Sequence, residues 1–244
     1  MSRVKNIITN PRLDYFESPN VQLVNKIPTG LRAHLPLNTL DVQPIQFSII
    51  GNGRESINFD QHYLYVRLRI VNAAGVPLAP EYNGHCALIN NCIHSLFRHV
   101  TVQVNGITVT PSSDYYPLHS YLTSLLSASK ENVNTLKLQG WHRDTGNVGV
   151  MGALNLGFTA RAALFNQGTV QEFMAPLDVD MFKVKKNFPP NTRIDIKLYR
   201  SADTFVCQHD DHQEGGNGPG AIKVHLQACE LYLRHELHME SVLN

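Results

Sequence analysis

The chain has 244 residues and a formal charge of +1, with 43% apolar and 17% charged residues. That balance supports a sizeable core and excludes a disordered acidic tail or a generalised nucleic-acid binder. No apolar run approaches the roughly 18 residues of a membrane span, and Met1 to Thr9 lack the apolar centre of a secretory signal.

Pro11, Pro19, Pro28 and Pro36 punctuate the first forty residues. They predict an extended N-terminal arm over 1–40, lying on the surface of a folded domain over 41–244. Beyond the arm the dominant period is two. Leu64, Val66, Leu68 and Ile70 alternate with Tyr65, Arg67 and Arg69, so one face is buried and the other wet, as in antiparallel sheets.

The run "NNCIHSLFRHVTVQVNGITVTP", 90–111, passes from helical spacing (Ile93, Leu96, Phe97) into strict alternation. Asn105-Gly106 predicts a type I′ hairpin, because both positions of that turn need φ > 0. Val100, Val102, Val104, Ile107 and Val109 then share one face, expected to be buried, and His99, Thr101, Gln103 and Thr108 the other. A helix follows: Ser112, Ser113 and Asp114 offer capping oxygens, and Pro117 suits a first turn. Its apolar stripe is Leu118, Leu122, Leu125 and Leu126. Glycines at 146, 149, 152 and 157 predict a long loop with a short helix near Ala160 to Phe165.

Two further strands alternate: Ile194, Ile196 and Leu198 against Asp195, Lys197 and Tyr199, then Ile222, Val224, Leu226 and Ala228 against Lys223, His225 and Gln227. The apolar parity then shifts to Leu231 and Leu233, which predicts a β-bulge around Ala228 to Glu230. The expected fold is all-β: an antiparallel jelly-roll β-sandwich with one or two short helices in long inter-strand loops.

Chemistry is sparse. "CQHDDH", Cys207 to His212, holds metal-ligating residue types, but it runs into the glycine-rich loop "HQEGGNGPG" and is read as solvated loop. "WHRDTGN", Trp141 to Asn147, is read as a strand end with a buried Trp, since neighbours on a strand point to opposite faces. Lys183, Lys185 and Lys186 are read as a solvated basic cluster. No nucleophile elbow, Walker loop or dinucleotide fingerprint occurs. Catalytic, cofactor-binding and metal residues are therefore expected to be none, and the chain is not expected to be an enzyme. Cys86, Cys92, Cys207 and Cys229 match no CxxC framework and are read as free, buried thiols in a reducing compartment.

Several stretches resemble the major capsid protein of Polinton/Maverick elements and adintovirus-like viruses. They are "PIQFSIIGNGRESINFDQHYLYVRLRIVNAAGVPLAP", "INNCIHSLFRHVTVQVNGITVTPSSDYYPLHSYLTSLLS", "WHRDTGN", "VQEFMAPLDVDMFKVKKNFPPNTRIDIKLYRSADTFVC" and "IKVHLQACELYLRHEL". The resemblance runs from about Asp14 to Leu237, and the HSLF–VNG–VTP–Y–YL–LL succession is its most specific part. It implies a hexon-like protein with two jelly rolls per chain, of which this would be the first, the second following after about Leu243. It also implies trimeric pseudo-hexagonal capsomers, a penton-like protein at the vertices, and a place in the virion after assembly in the nucleus or cytoplasm of the host cell.

By that likeness strand B lies near Pro44 to Ile49, C near His62 to Val71, D and its return strand in the hairpin, and E near Leu136 to His142. F lies near Val170 to Leu177, H near Arg193 to Arg200 and I near Ala221 to Arg234. The sheets would be B-I-D-G and C-H-E-F, with the polar faces of C and H side by side, free for a partner or covered by the arm. The alternative is a jelly-roll binding module, lectin- or receptor-like, using the glycine-rich loops.

Overall fold

The structure, a computed structural model, describes residues 29–209 and 221–237 apart from positions 52, 54, 112, 130, 131 and 185. In chain order its elements are β1 (Thr29–His34), β2 (Ile45–Ile50), β3 (Glu55–Asn72), β4 (Cys86–Leu88), α1 (Cys92–Ser95), β5 (Phe97–Val104), β6 (Ile107–Thr108) and α2 (Tyr116–Ser127). There follow α3 (Val133–Leu138), α4 (Leu156–Leu164), β7 (Gln171–Ala175), β8 (Asn187–Phe188), β9 (Arg193–Arg200), α5 (Asp203–Val206), β10 (Cys207–His209) and β11 (Ile222–Leu237).

Two antiparallel sheets face each other. One has the order β1-β11-β3-β7 with β8 also on β3; the other is β2-β9-β5-β6, and β10 and β4 form a small separate pair. The alternating residues meet between the sheets. Leu64, Val66, Leu68 and Ile70 are buried from one side, and Ile45, Phe47, Ile194, Ile196 and Leu198 from the other. Each such side chain contributes roughly 1.5–3 kcal/mol by leaving water. The register of β11 on β3 slips between Leu226 and Ala228, which carries the inward parity from Leu226 to Cys229, Leu231 and Leu233. The expected bulge is therefore present, beginning one residue early.

Strand order departs from the expected sheets. The strand taken as H, β9, lies between β2 and β5, and the strand taken as I, β11, lies on β3. Length decides this, because the 18-residue β3 is matched along its course by the 16-residue β11. The polar faces of β3 and β9 consequently belong to different sheets and are not neighbours. The strand expected over Leu136 to His142 is instead the end of α3. Gly140, at φ +76°, lets its N–H reach Lys137 O and the Trp141 N–H reach Leu136 O, a Schellman stop.

The hairpin has the predicted turn, with Asn105 at φ +49° and Gly106 at φ +84°, and the predicted pairing of Val104 with Ile107. Its burial is only half as expected. Val100 and Val102 are buried and Val104 half-buried, but Ile107 is 71% exposed and Val109 43%. The two-residue β6 sits at the sheet edge, beyond the cover of the opposite sheet.

Edges are sealed by polar groups. Asn38 Oδ1 accepts from Gln46 N–H on the outer side of β2 at 3.0 Å. On β11, Val224 donates to Asp203 and its carbonyl accepts from Arg200. Of the expected arm, residues 29–34 form β1, paired with residues 231–236 of β11.

Candidate interaction surface

Helix α2 has the predicted leucine spacing, turned outward. Leu118, Leu122, Leu125 and Leu126 are 55%, 46%, 45% and 86% exposed, while Tyr116, Pro117, Ser120 and Ser124 are buried. The small serine face wins because it makes close polar contacts. Ser120 Oγ accepts from Asn91 Nδ2 at 3.2 Å, and Ser124 Oγ accepts from Gln139 Nε2 at 2.9 Å. Leucines there would hold α2 away and remove the serine acceptor from each amide. The expected serine cap is not used: Tyr115 is the N-cap, without a side-chain bond, and Asp114 instead pairs with Arg98 at 3.0 Å. Ser112 lies outside the described residues.

Leu118, at the start of the stripe, lines a groove of about 390 Å³ between α2, the loop after Asp144, α4 and α5, together with Val148, Met151 and Phe205. Those three side chains are 64%, 47% and 46% exposed. Exposed apolar side chains therefore lie both along α2 and in the groove beside it. From Tyr116 to Ser127 the helix carries no Asp, Glu, Lys or Arg. Such a surface suits apolar contact with another protein surface.

Asp144 of the "WHRDTGN" segment lines this groove. Trp141 is buried, as expected, but in irregular backbone. Asp144 pairs with the buried Arg161 at 2.9 Å, and Arg161 Nε donates to Leu88 O. Asn90 bridges the same segment, donating to His142 O at 2.6 Å and accepting from His142 N–H at 2.8 Å. These groups spend their hydrogen bonds on each other, which fixes the loop and leaves them without a reacting partner in the groove.

A second groove of about 390 Å³ lies on the other side of α2, beside Tyr115, His119 and Asp178. Asp178 accepts from Lys183 at 2.6 Å and sits 3.1 Å from His119 Nδ1. Burial alone would raise its pKa, but the Lys183 hydrogen bond and charge hold it below the usual range. Lys183, one of the predicted solvated lysines, is thereby an anchor for the segment after β7. Tyr116 Oη bridges His94 Nδ1 at 2.8 Å and Asp178 N–H at 3.3 Å.

The four cysteines are free; Cys86, Cys92 and Cys229 are buried and Cys207 half-buried. Burial pushes Cys86 up to about 11 and Cys207 and Cys229 to about 12, so they stay as thiols at neutral pH. Of "CQHDDH", Cys207 to His209 form β10; the rest, with the whole of "HQEGGNGPG", lies outside the described residues. Among the described residues no group of three or more His, Cys, Asp or Glu is placed to hold a metal ion, and no helix is long and apolar enough to cross a membrane.

No family model matches the chain, and no curated protein does. Solved structures do. A chain of the Sputnik virophage, seen by electron cryo-microscopy, is similar at a TM-score of 0.54 and 11% identity, over 96% of this chain and 53% of that one. The crystal structure of the mavirus major capsid protein gives a TM-score of 0.49 at 14% identity, over 93% and 50%. PBCV-1 VP54, fitted into a Sputnik reconstruction, gives 0.47 at 10%, over 90% and 45%. The Sputnik likeness, with the two sheets described above, establishes the antiparallel jelly-roll sandwich. The chain spans about half the length of the chains it matches.

Proposed function

We propose that this chain is the first jelly roll of a double-jelly-roll major capsid protein. In this reading it is viral or transposon-encoded, of the Polinton/Maverick and adintovirus kind, and its role in the virion shell is structural rather than enzymatic. The observation that carries the reading is the Sputnik likeness, which takes in 96% of this chain but only 53% of the other. One sandwich then corresponds to about one half of the larger Sputnik chain. Three double-jelly-roll subunits would form a pseudo-hexagonal capsomer, with a penton-like protein at the vertices.

The exposed α2 face supplies what this role needs, a large uncharged surface for permanent contact. In this reading it, rather than the polar strand faces, meets the adjoining roll. The test is sedimentation and electron microscopy of residues 1–244, alone and extended by any downstream coding sequence. Monomers or weak oligomers at micromolar concentration are expected alone, and trimeric capsomers from the extended chain. A closed shell from 1–244 alone would replace this reading with a single-roll capsid protein. Stoichiometric binding of a glycan or small ligand, without assembly, would favour the binding module.

A further inference from the structure

Strand β1 is held in an unusual way. Its residues that share a face with the buried Leu231 and Leu233 of β11 are His34 and Arg32, so a charged and a titratable side chain stand where apolar ones would dock an edge strand. On the other face, Leu31 is 54% exposed. Among the described residues, the side chains of β1 are held by a polar clasp. His34 Nε2 lies 3.1 Å from His235 Nε2, with the rings stacked at 5.3 Å. His235 Nδ1 faces Glu55 Oε2 at 3.4 Å, and Arg32 grips both oxygens of Glu55 at 2.6 Å.

At 3.1 Å one Nε2 must carry a hydrogen and the other accept it. With the His235 hydrogen on Nδ1, the nitrogen 3.4 Å from the Glu55 carboxylate, the donor is His34 Nε2–H and the acceptor His235 Nε2. A second proton on His235 would set N–H against N–H across the 3.1 Å gap. Little nearby can neutralise it. From β3, Glu55 is already bidentate to Arg32, and Ser56, Asn58 and Gln61 are neutral. From β11, Glu236 accepts from Asn58 and from Asn187 of β8, with Arg234 3.7 Å away. With both rings charged, Arg32, His34 and His235 would confront the single carboxylate of Glu55.

We propose that β1 is an acid-released strap: protonation of the His34–His235 pair undocks residues 29–34 while the two sheets stay folded. The event bares the edge of β11 at residues 231–236, and a bare edge accepts an extended segment from another chain.

The direction follows from linkage. Burial, with help from His235 and Arg32, lowers His34 to about 4, and burial and Arg32 lower His235. Released imidazoles titrate near 6.5. The released state therefore binds protons first, and docking is complete above about pH 6.5 and lost as pH falls toward 4. Through His34 alone the docking equilibrium should fall roughly 30-fold between pH 8 and pH 5. Glu55 is held below the usual carboxylate range, chiefly by its hydrogen bonds from Arg32, so it stays ionised across this window and does not cause the change.

Hydrogen exchange of residues 1–244, corrected for the intrinsic effect of pH, tests the strap. Peptides covering 29–34 and 231–236 should lose at least tenfold protection between pH 7.5 and 5.0, while those in β5 and β9 keep theirs. His34→Gln retains an N–H donor toward His235 without titrating, and should flatten the profile. Unchanged protection of wild-type β1 at pH 5.0 would overturn the proposal, as would a wild-type loss in His34→Gln. Should that variant be undocked already at pH 7.5, the double variant His34→Leu/His235→Leu decides. Docked at both pH values, it supports the pair as the switch; still acid-released, it removes it.

Discussion

Asn105 and Arg193 exchange two hydrogen bonds. The Asn105 N–H donates to Arg193 O at 2.8 Å, and the Asn105 side-chain oxygen accepts from the Arg193 N–H at 2.9 Å. The hairpin turn is thus tied to the first residue of β9, besides having the positive φ that Asn and Gly tolerate. Asn105→Asp keeps the acceptor and should change stability by less than about 0.5 kcal/mol. Asn105→Ala should cost about 1–2 kcal/mol, and Gly106→Val roughly 1–3 kcal/mol, because a β-branched residue is strained at φ +84°. Urea denaturation of the three variants checks the order.

Gly140 should tolerate no side chain. Its φ is +76°, and an added Cβ would lie 2.6 Å from Cys92 Cβ. Gly140→Ala combines αL strain with a clash in the core and should cost about 3 kcal/mol or more. Gln139→Ala, by contrast, loses its bonds to Ser124 and Asn91 and should cost about 1–3 kcal/mol. Thermal melts of both variants compare the two.

Two leucines should behave oppositely. Leu68→Ala empties a fully buried site and should cost about 2–5 kcal/mol. Leu126 is 86% exposed, so Leu126→Ala should stay within about 0.5 kcal/mol. If α2 is the contact face, Leu122→Asp should leave the melting of the isolated chain nearly unchanged and abolish capsomer formation. Calorimetry and sedimentation separate these outcomes.

His94 sets an acid limit for the fold as a whole. It is buried, and burial lowers its pKa to about 4, against about 6.5 in an unfolded chain. The unfolded state therefore takes up the proton first. The His94 contribution is intact above pH 6.5 and shrinks as pH falls toward 4, with a loss of about 2 kcal/mol at pH 5. Urea titrations at pH 7.5 and 5.0 should show this difference, and it should diminish in His94→Asn.

The inward residues of β3, β9 and β11, the parity shift in β11 and the Asn-Gly turn were all legible in the sequence. Each is a local property: a period of two, an extra residue, a φ that few side chains accept. The end of α3 is encoded in Leu-Gln-Gly-Trp, where Gly140 takes the left-handed φ that stops a helix, although the resemblance implied a strand there. The clasp of His34 and His235 left no local trace, since 201 residues separate the two rings.

By itself, then, the sequence determined which residues of the long strands β3, β9 and β11 seek the interior and that the sheets are antiparallel, because strand periodicity is read along a few neighbouring residues. Only the tertiary structure decided that β9 lies between β2 and β5 and that β11 runs along β3, since pairing depends on matching lengths across the whole chain. It also decided that α2 buries Ser120 and Ser124 and exposes its leucines. A helix face is buried by what lies opposite, and here Asn91 and Gln139 offer amides that serine hydroxyls can meet and leucines cannot.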